Sequence, residues 1–452
     1  MKNRRLEIME SAPVGKALAY LGLPTIVGLS VTGFYQLAIN FFVAQLGTQA
    51  VGAISIIYPL VLLMPGIGLL FGNGGAAYIA ELLGAGEKER AETVLASTVF
   101  YCVFFSVLTQ LLLPVLPKLL VQMGASVTVL PLALEYGQIL IVSFLFYIPS
   151  VCLANLVRAE GNVALSTLSQ MTGAALNIVL APLFIFGLQW GIRGAAAATA
   201  TAQFVSLCML VQYYLRRKSY LRLNFHKVRL HWWILEPVLK IGIPLLCINL
   251  FQSISMTAAN IAAAPFGDAV VAGLGIANRV IGMTTLAVTG FSRGYQTFIS
   301  YSYGAGYFER IRQATRTAYA WGMWGALVIS VIQIAFSGSI VSAFSQDSNV
   351  VQVGTRALVA GSLLFFTYGF QSMVTVYLLC IRYSKAGFVF SICRQGLAYL
   401  PLLVVFVNSF GVSGIFYTQA AADLLTTLIL ILFLTATREK RNSALQSAVK
   451  SL

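Results

Sequence analysis

Apolar residues in this chain come in long blocks, separated by short connections rich in glycine, charge or amides. Blocks of membrane-helix length can be read at about 17–43, 52–80, 93–116, 129–156, 163–187, 191–215, 237–263, 268–297, 313–337, 351–380, 385–409 and 412–436, each roughly 20 residues or longer. The pattern predicts an all-α polytopic membrane protein with twelve transmembrane helices. Polar positions inside the blocks are few, so each one is informative. In residues 33–47, GFYQLAINFFVAQLG, Gln36 and Asn40 stand four apart and share one helix face. Lipid offers such a face no partner, so it looks into a helix bundle or a watery cavity. It is a candidate wall of a substrate pathway, the plain alternative being two amides that bond neighbouring helices.

Landmarks of the first half return in the second. Gly22 and Pro24 recur as Gly242 and Pro244, Gly84, Ala85, Gly86 and Arg90 as Gly304, Ala305, Gly306 and Arg310, and Gly191 and Gly194 as Gly411 and Gly414, all at one ungapped offset of 220 residues. Two six-helix lobes are expected, and because six crossings return the chain to the same side, they are parallel repeats. The expected division is 1–215 for the first lobe, 216–236 for a cytoplasmic basic linker, and 237–452 for the second lobe with a short cytoplasmic tail. The same offset carries Asn40 onto Asn260. Repeat-built transporters bind substrate near mid-membrane and rock about that site. Gly66, Gly68, Gly72, Gly74 and Gly75 in the second block would allow close helix approach or bending.

Composition agrees with the blocks: 58% of the 452 residues are hydrophobic and only 10% charged, with a mean hydropathy of +0.84. That excludes a water-soluble domain. A net charge of +15 would suggest nucleic acid in a soluble protein, but the placement of the charge points to a bilayer instead. Lys2, Arg4, Arg5 and Lys16 precede the first block, and Arg216, Arg217, Lys218, Arg222, Lys227 and Arg229 fill the linker. Arg310, Arg312 and Arg316 follow the eighth block, Arg382 and Lys385 separate the tenth from the eleventh, and Arg438, Lys440, Arg441 and Lys450 end the chain. With twelve spans every cluster falls on one side, while the opposite connections hold little beyond Lys118 and Arg193. The positive-inside rule then places both termini in the cytoplasm.

Residues 1–10 are charged and lack a small-residue cleavage pattern, so no removable signal peptide is expected. Cys102, Cys152, Cys208, Cys247, Cys380 and Cys393 lie inside the blocks without CxxC spacing and read as small core residues. There is no GxxxxGK[ST] phosphate loop, and the only histidines, His226 and His231, fall in the linker, so neither an enzyme nor an ATP-driven pump is expected.

Several stretches carry a family likeness: GFYQLAINFFVAQLGTQAVGAISI, LLGAGEKERA, NLVRAEGN, LNIVLAPLFIFG, GIRGAA, GIANRV, GFSRGYQ, YSYGAG, and RQGL through AAADLL. Together they resemble the MATE (multidrug and toxic compound extrusion) transporters, in the branch that includes the DNA-damage-inducible bacterial members. The likeness runs from about residue 15 to 436. It implies a two-lobed, twelve-helix exporter in the bacterial cytoplasmic (inner) membrane that expels small organic molecules against a proton or sodium gradient. No other cofactor and no nucleic-acid partner are expected, and the protein is expected to work as a monomer in the lipid bilayer. Tyr35, Asn177 and Thr199 match family positions that line the first lobe's cavity. The chain also departs from the family pattern. Relatives read Tyr-Asn-Leu-Val-Asp-Thr where this chain reads Tyr35, Gln36, Leu37, Ala38, Ile39 and Asn40. They read Leu-Asn-Ile and, two residues on, Asp-Pro where it keeps Asn177 but has Ala181 before Pro182. Both first-lobe carboxylates tied to cation coupling are absent, and a neutral polar pocket is expected in their place.

Of the 14 acids, Asp423 alone falls near the centre of a block. It matches the family's acidic position in the last span. Arg394 in the eleventh block is its expected partner, because a rise of about 1.5 Å per residue puts the two at depths roughly 6 Å apart. Burying either charge alone would be unfavourable by several kcal/mol. Arg279, in the middle of the eighth block, is expected as a second buried cation, with Arg293 deeper toward the cytoplasm. The candidate substrate and cation residues are Tyr35, Gln36, Asn40, Asn177, Thr199, Asn260, Arg279, Gln296, Arg394 and Asp423. The excess of buried positive charge points to a neutral, zwitterionic or anionic substrate. Aromatic residues such as Phe34, Tyr147, Tyr295, Phe365 and Tyr368 could stack on flat ligands. The expected function is secondary active efflux by alternating access, coupled through Asp423. The alternatives are a flippase for lipid-linked oligosaccharide or another amphiphile, which needs no acidic coupling network, and a transport-inactive scaffold.

Overall fold

A computed structural model describes residues 4–122, 129–217, 219–229, 231–345 and 347–437, and the side chains of Tyr35, Gln36 and Asn40 lie outside the described residues. Its long helices are α1 (Val14–Ala44), α2 (Thr48–Gly84), α3 (Lys88–Leu108), α4 (Leu130–Ala159), α5 (Val163–Pro182), α6 (Gly191–Leu215), α7 (Trp232–Ala263), α8 (Asp268–Gly304) and α9 (Phe308–Ala335). They continue as α10 (Ser348–Ser362), α11 (Phe365–Cys380), α12 (Ser384–Ile392), α13 (Tyr399–Phe410) and α14 (Val412–Ala436). The described residues form no strand. Eleven helical stretches are long and apolar enough to cross a membrane, twelve when α10 and α11 count as one span.

That tenth span was expected as one block, but it bends by 45° between α10 and α11. Side chains of α9 supply the physical reason. The Ser330 hydroxyl donates to the Ser362 carbonyl, and the Ser362 hydroxyl donates to Gln333 Oε1 at 3.1 Å. Backbone that finds partners on a neighbouring helix can leave its own ladder at membrane depth.

The repeat is written into the backbone. Left-handed glycines occur as Gly47 and Gly267 (φ 103° and 104°), Gly86 and Gly306 (79° and 71°), and Gly191 and Gly411 (52° and 58°), each pair at the offset seen in the sequence. At the end of α2, Gly86 N–H donates to the Leu83 carbonyl and Glu87 N–H to the Leu82 carbonyl; at the end of α8, Gly306 and Tyr307 bond Tyr303 and Ser302 in the same way. A side chain at φ near +75° would be strained, so glycine is what lets the helix stop there.

Contacts divide the chain into two compact units: Met1–Ala12 with Val27–Leu246, and Pro13–Ile26 with Cys247–Leu452. This differs from the expected 1–215 and 237–452, because the opening turns of α1 and α7 each pack in the other half's unit. Glycines make room for both. In the second unit an ideal Cβ on Gly294 would lie 2.7 Å from Gly22 Cα, and one on Gly22 would lie 2.7 Å from the Phe291 ring. In the first unit, Gly74 meets the Val238 carbonyl and Gly242 the Leu70 carbonyl at equivalent positions. Small residues at such crossings are how membrane helices gain packing contact that lipid would otherwise supply.

The linker is a strap bound to the first unit by two carboxylates. Glu92 on α3 accepts from Lys227 Nζ (2.7 Å) and from Arg222 N–H (3.2 Å), and Ser97 one turn on accepts from Arg229 N–H at 3.0 Å. Glu160, in the turn after α4, is fully buried. It accepts from the Ser219 hydroxyl (2.6 Å), Tyr220 N–H (3.1 Å) and the Tyr213 hydroxyl (3.1 Å). Burial favours the neutral acid more than these donors favour the anion, so the carboxyl is pushed up from 4.5 to about 7. The acid binds its proton more tightly folded than unfolded. Its stabilising share is therefore complete below about pH 4.5 and is lost as pH rises through about 7. We expect Glu160→Gln to remove a decline in stability of the order of 3 kcal/mol over that window. Melting curves of both proteins across pH 5–8 check this, and parallel curves would sink it.

Candidate functional site

Among the polar groups inside the spans, one in each unit contains residues that the sequence singled out. In the first unit, Asn177 on α5 is buried, and its amide donates to Thr199 Oγ1 on α6 at 3.2 Å. Thr199 in turn donates to the Ala195 carbonyl at 3.0 Å. The Asn177 carbonyl oxygen is buried with no hydrogen-bond partner among the described residues, and Ala181, one turn on, is fully buried. Asn177 and Thr199 thus form a neutral polar pair with an acceptor to spare. Tyr35, Gln36 and Asn40 belong to α1, and their side chains lie outside the described residues.

In the second unit the organising feature is an ion pair. Arg394 Nε donates to Asp423 Oδ1 at 2.6 Å and Nη2 to Oδ2 at 3.3 Å, with Asp423 fully buried. Arg394 sits in a five-residue π-helical turn, Cys393–Leu397, that joins α12 to α13. The wide turn loosens the local ladder, and the Ser255 hydroxyl of α7 donates to the Gln395 carbonyl there. The guanidinium also lies over the Tyr368 ring, 4.2 Å from its centroid, a cation–π contact that strengthens when desolvated. Gln419, one turn before Asp423 on α14, donates to Oδ1 at 3.1 Å. Gln371 on α11 donates to the Asp423 carbonyl (2.9 Å) and to Thr427 Oγ1 (2.8 Å), and its own oxygen is buried without a partner among the described residues.

The other expected site residues fall elsewhere. Asn260 on α7 is half-buried, and its side-chain oxygen is likewise unpartnered among the described residues. Gln296 is buried at the far end of α8, where its carbonyl accepts from the Cys380 thiol at 3.8 Å. Cys380 ends α11 whereas Tyr368 lies near its start, so Gln296 is roughly three turns from the ion pair. Arg279 was expected to be buried and is instead exposed. Its face of α8 is unpacked, as Gly275 and Gly282 on either side show, since a Cβ on either would meet nothing within 4 Å. Tyr295 is fully buried with its hydroxyl 2.8 Å from Thr315 Oγ1, and Phe365 is fully buried, so neither is free to stack on a ligand. Cys208 is exposed and Cys247 half-buried, while the other four cysteines are buried as expected.

Sequence reading missed Gln419, Gln371 and Ser255. Gln419 was findable, since it stands four residues from Asp423 on the same helix face. The other two come from helices distant in sequence, and no local signal marks them.

A membrane bundle of two parallel repeats with polar groups buried at mid-span is the architecture of a secondary transporter, not of an enzyme. The MatE family model matches residues 24–183 and 244–405, two segments that begin at the offset of the repeat, and the chain belongs to this family of transporters. It is 24% identical over 443 residues to "Multidrug export protein MepA" of Staphylococcus aureus (strain MSSA476), covering 97% of this chain and 98% of that one. It is also 24% identical over 442 residues to the protein of that name from Staphylococcus saprophyticus, with the same coverage. Among solved structures, "Outward-facing conformation of a multidrug resistance MATE family transporter of the MOP superfamily" has the same fold. Its TM-score is 0.93 at 22% identity, over 99% of this chain and 100% of that one.

Proposed function

We propose that this protein is a secondary active exporter of small organic molecules, working by alternating access and coupled to a proton or sodium gradient through Asp423. The ion pair of Asp423 with Arg394, wholly inside membrane-spanning helices, carries the reading. A carboxylate that can trade arginine for a proton or a sodium ion has two states of different local charge. The first unit has no counterpart: Ile39 and Ala181 stand where the resemblance places acids, and Asn177 cannot carry a proton at ordinary pH. Coupling therefore rests on the second unit alone. Both termini and the strap face the cytoplasm of a bacterial cytoplasmic membrane, as the basic clusters direct, and the relatives' role in multidrug export supports the direction of transport.

The test needs no substrate. An ion that binds only the folded protein stabilises it by about 2.7 kcal/mol at a hundred times its dissociation constant. We expect sodium, or acidification, to raise the melting temperature of wild type and not that of Asp423→Asn combined with Arg394→Gln, which keeps both sites polar and uncharged. If wild type and the double variant respond alike, coupling does not run through Asp423. Glu160 titrates in the same pH range, so the pH arm is run in a Glu160→Gln background.

A further inference from the structure

The mid-span position of Arg279 conflicts with its surroundings. It lies eleven residues into a 37-residue membrane-spanning helix, yet it is exposed and has no hydrogen bond or ion pair among the described residues. A guanidinium facing hydrocarbon would be strongly unfavourable. The rest of α8 says what it faces instead. Helices that meet lipid show large apolar side chains, as α9 does with Trp324 at 67% exposure and Val328, Val331 and Ile332 at 50% or more. Among the described residues α8 exposes no large apolar side chain at all. Of its described residues only Ala272 and Arg279 are exposed, and around Arg279 lie the half-buried Gly275, Ile276, Asn278, Gly282 and Met283, with free space above the two glycines. An exposed charge with no exposed large apolar side chain on the same helix fits water better than lipid.

Among the described residues the second unit offers this cation no hydrogen-bond or ion-pair partner. Asp423 is the single acid in the interior of its spans, and Arg394 holds it through Nε and Nη2. A guanidinium exposed at membrane depth, with the one intramembrane carboxylate of its unit already taken, is suited to receive an anion from outside.

We propose that Arg279 is a substrate-binding residue that recognises a carboxylate on an organic anion or zwitterion, seated against the glycine-flanked face of α8. This rests on the reading of the protein as a transporter and narrows its substrate class. Gly275 and Gly282 leave room for the body of the ligand beside the charge, and Asn278 adds a donor on the same face.

Three fluorescent probes of one shape test it: naphthalene-2-carboxylate, its neutral amide, and naphthyl-trimethylammonium, titrated into purified protein in a zwitterionic detergent free of anionic lipid. A charged hydrogen bond in place of a neutral contact is worth roughly tenfold to a hundredfold in affinity. We expect wild type to prefer the carboxylate over the amide by at least about tenfold. Arg279→Gln should bind the two alike, and Arg279→Lys should keep part of the preference. Gly282→Leu should weaken carboxylate and amide together. Arg279 is exposed and makes no hydrogen bond or ion pair among the described residues, so its variants should melt as wild type does. Preference for the cation, equal binding of acid and amide by wild type, no binding of either, or binding of short-chain phosphatidylglycerol without naphthoate each overturns the assignment. Uptake of the same probes into proteoliposomes is a separate measurement. Carboxylate binding that depends on Arg279 with no transport refutes the exporter, whereas cation transport indifferent to Arg279 refutes the anion site.

Discussion

Arg394→Ala lowers the stability of the purified protein by about 3–5 kcal/mol, because it leaves Asp423 as a buried charge with no counter-ion. The loss is that of an abandoned carboxylate, not the net worth of the pair. Asp423 keeps Gln419 as a single neutral donor at 3.1 Å, too little to hold an anion out of water. Tyr368 loses the cation above its ring as well. Replacing both partners with apolar residues of similar length, Arg394→Met with Asp423→Leu, should recover most of the loss, since two charges are then spared desolvation. Transport coupling should not return with it. Thermal unfolding of the single and double variants in one detergent checks both halves. A single variant that melts like wild type would mean that Asp423 is not an anion in the folded protein.

The second large effect is steric. A Cβ on Gly414 would run into the carbonyl of Phe406 where α14 turns back along α13, and one on Gly194 would stand 2.6 Å from the Phe184 carbonyl at the equivalent corner of the first unit. In both cases the obstacle is backbone, which cannot rotate away as a side chain can. Gly414→Ala and Gly194→Ala should each destabilise by about 1–3 kcal/mol through overpacking. Gly325→Ala is the control: it lies inside α9 with nothing within 4 Å of its would-be Cβ, and should stabilise by up to about 1 kcal/mol from helix propensity. Similar melting temperatures for all three variants would show that the corner glycines are not close-packed.

Much of the fold was legible in the sequence because membrane helices announce themselves by length and hydropathy. The repeat was legible because left-handed turns demand glycine at fixed places, as Gly86 and Gly306 do. The partnership of Arg394 and Asp423 was expected from scarcity and depth: a buried acid needs a cation, and Arg394 lay at a matching depth. What periodicity could not supply was the identity of neighbours. The bend after Ser362 depends on Ser330 and Gln333 from another helix. Arg279 looked buried because its block is apolar, and only three-dimensional packing shows that its own face is open. Nor does periodicity tell how far Gln296 stands from the ion pair, a distance set by where α8 crosses α11.

The exchange of opening turns between the two compact units has a consequence in time. Gly22 is translated early, but its packing partner Gly294 follows roughly 270 residues later, on the order of tens of seconds at ordinary elongation rates. Until then the start of α1 has no helix to close against. A gene cut in the linker would release a first half whose leading helix is still waiting, so the halves must be synthesised together, or meet in the same bilayer, before either one is finished.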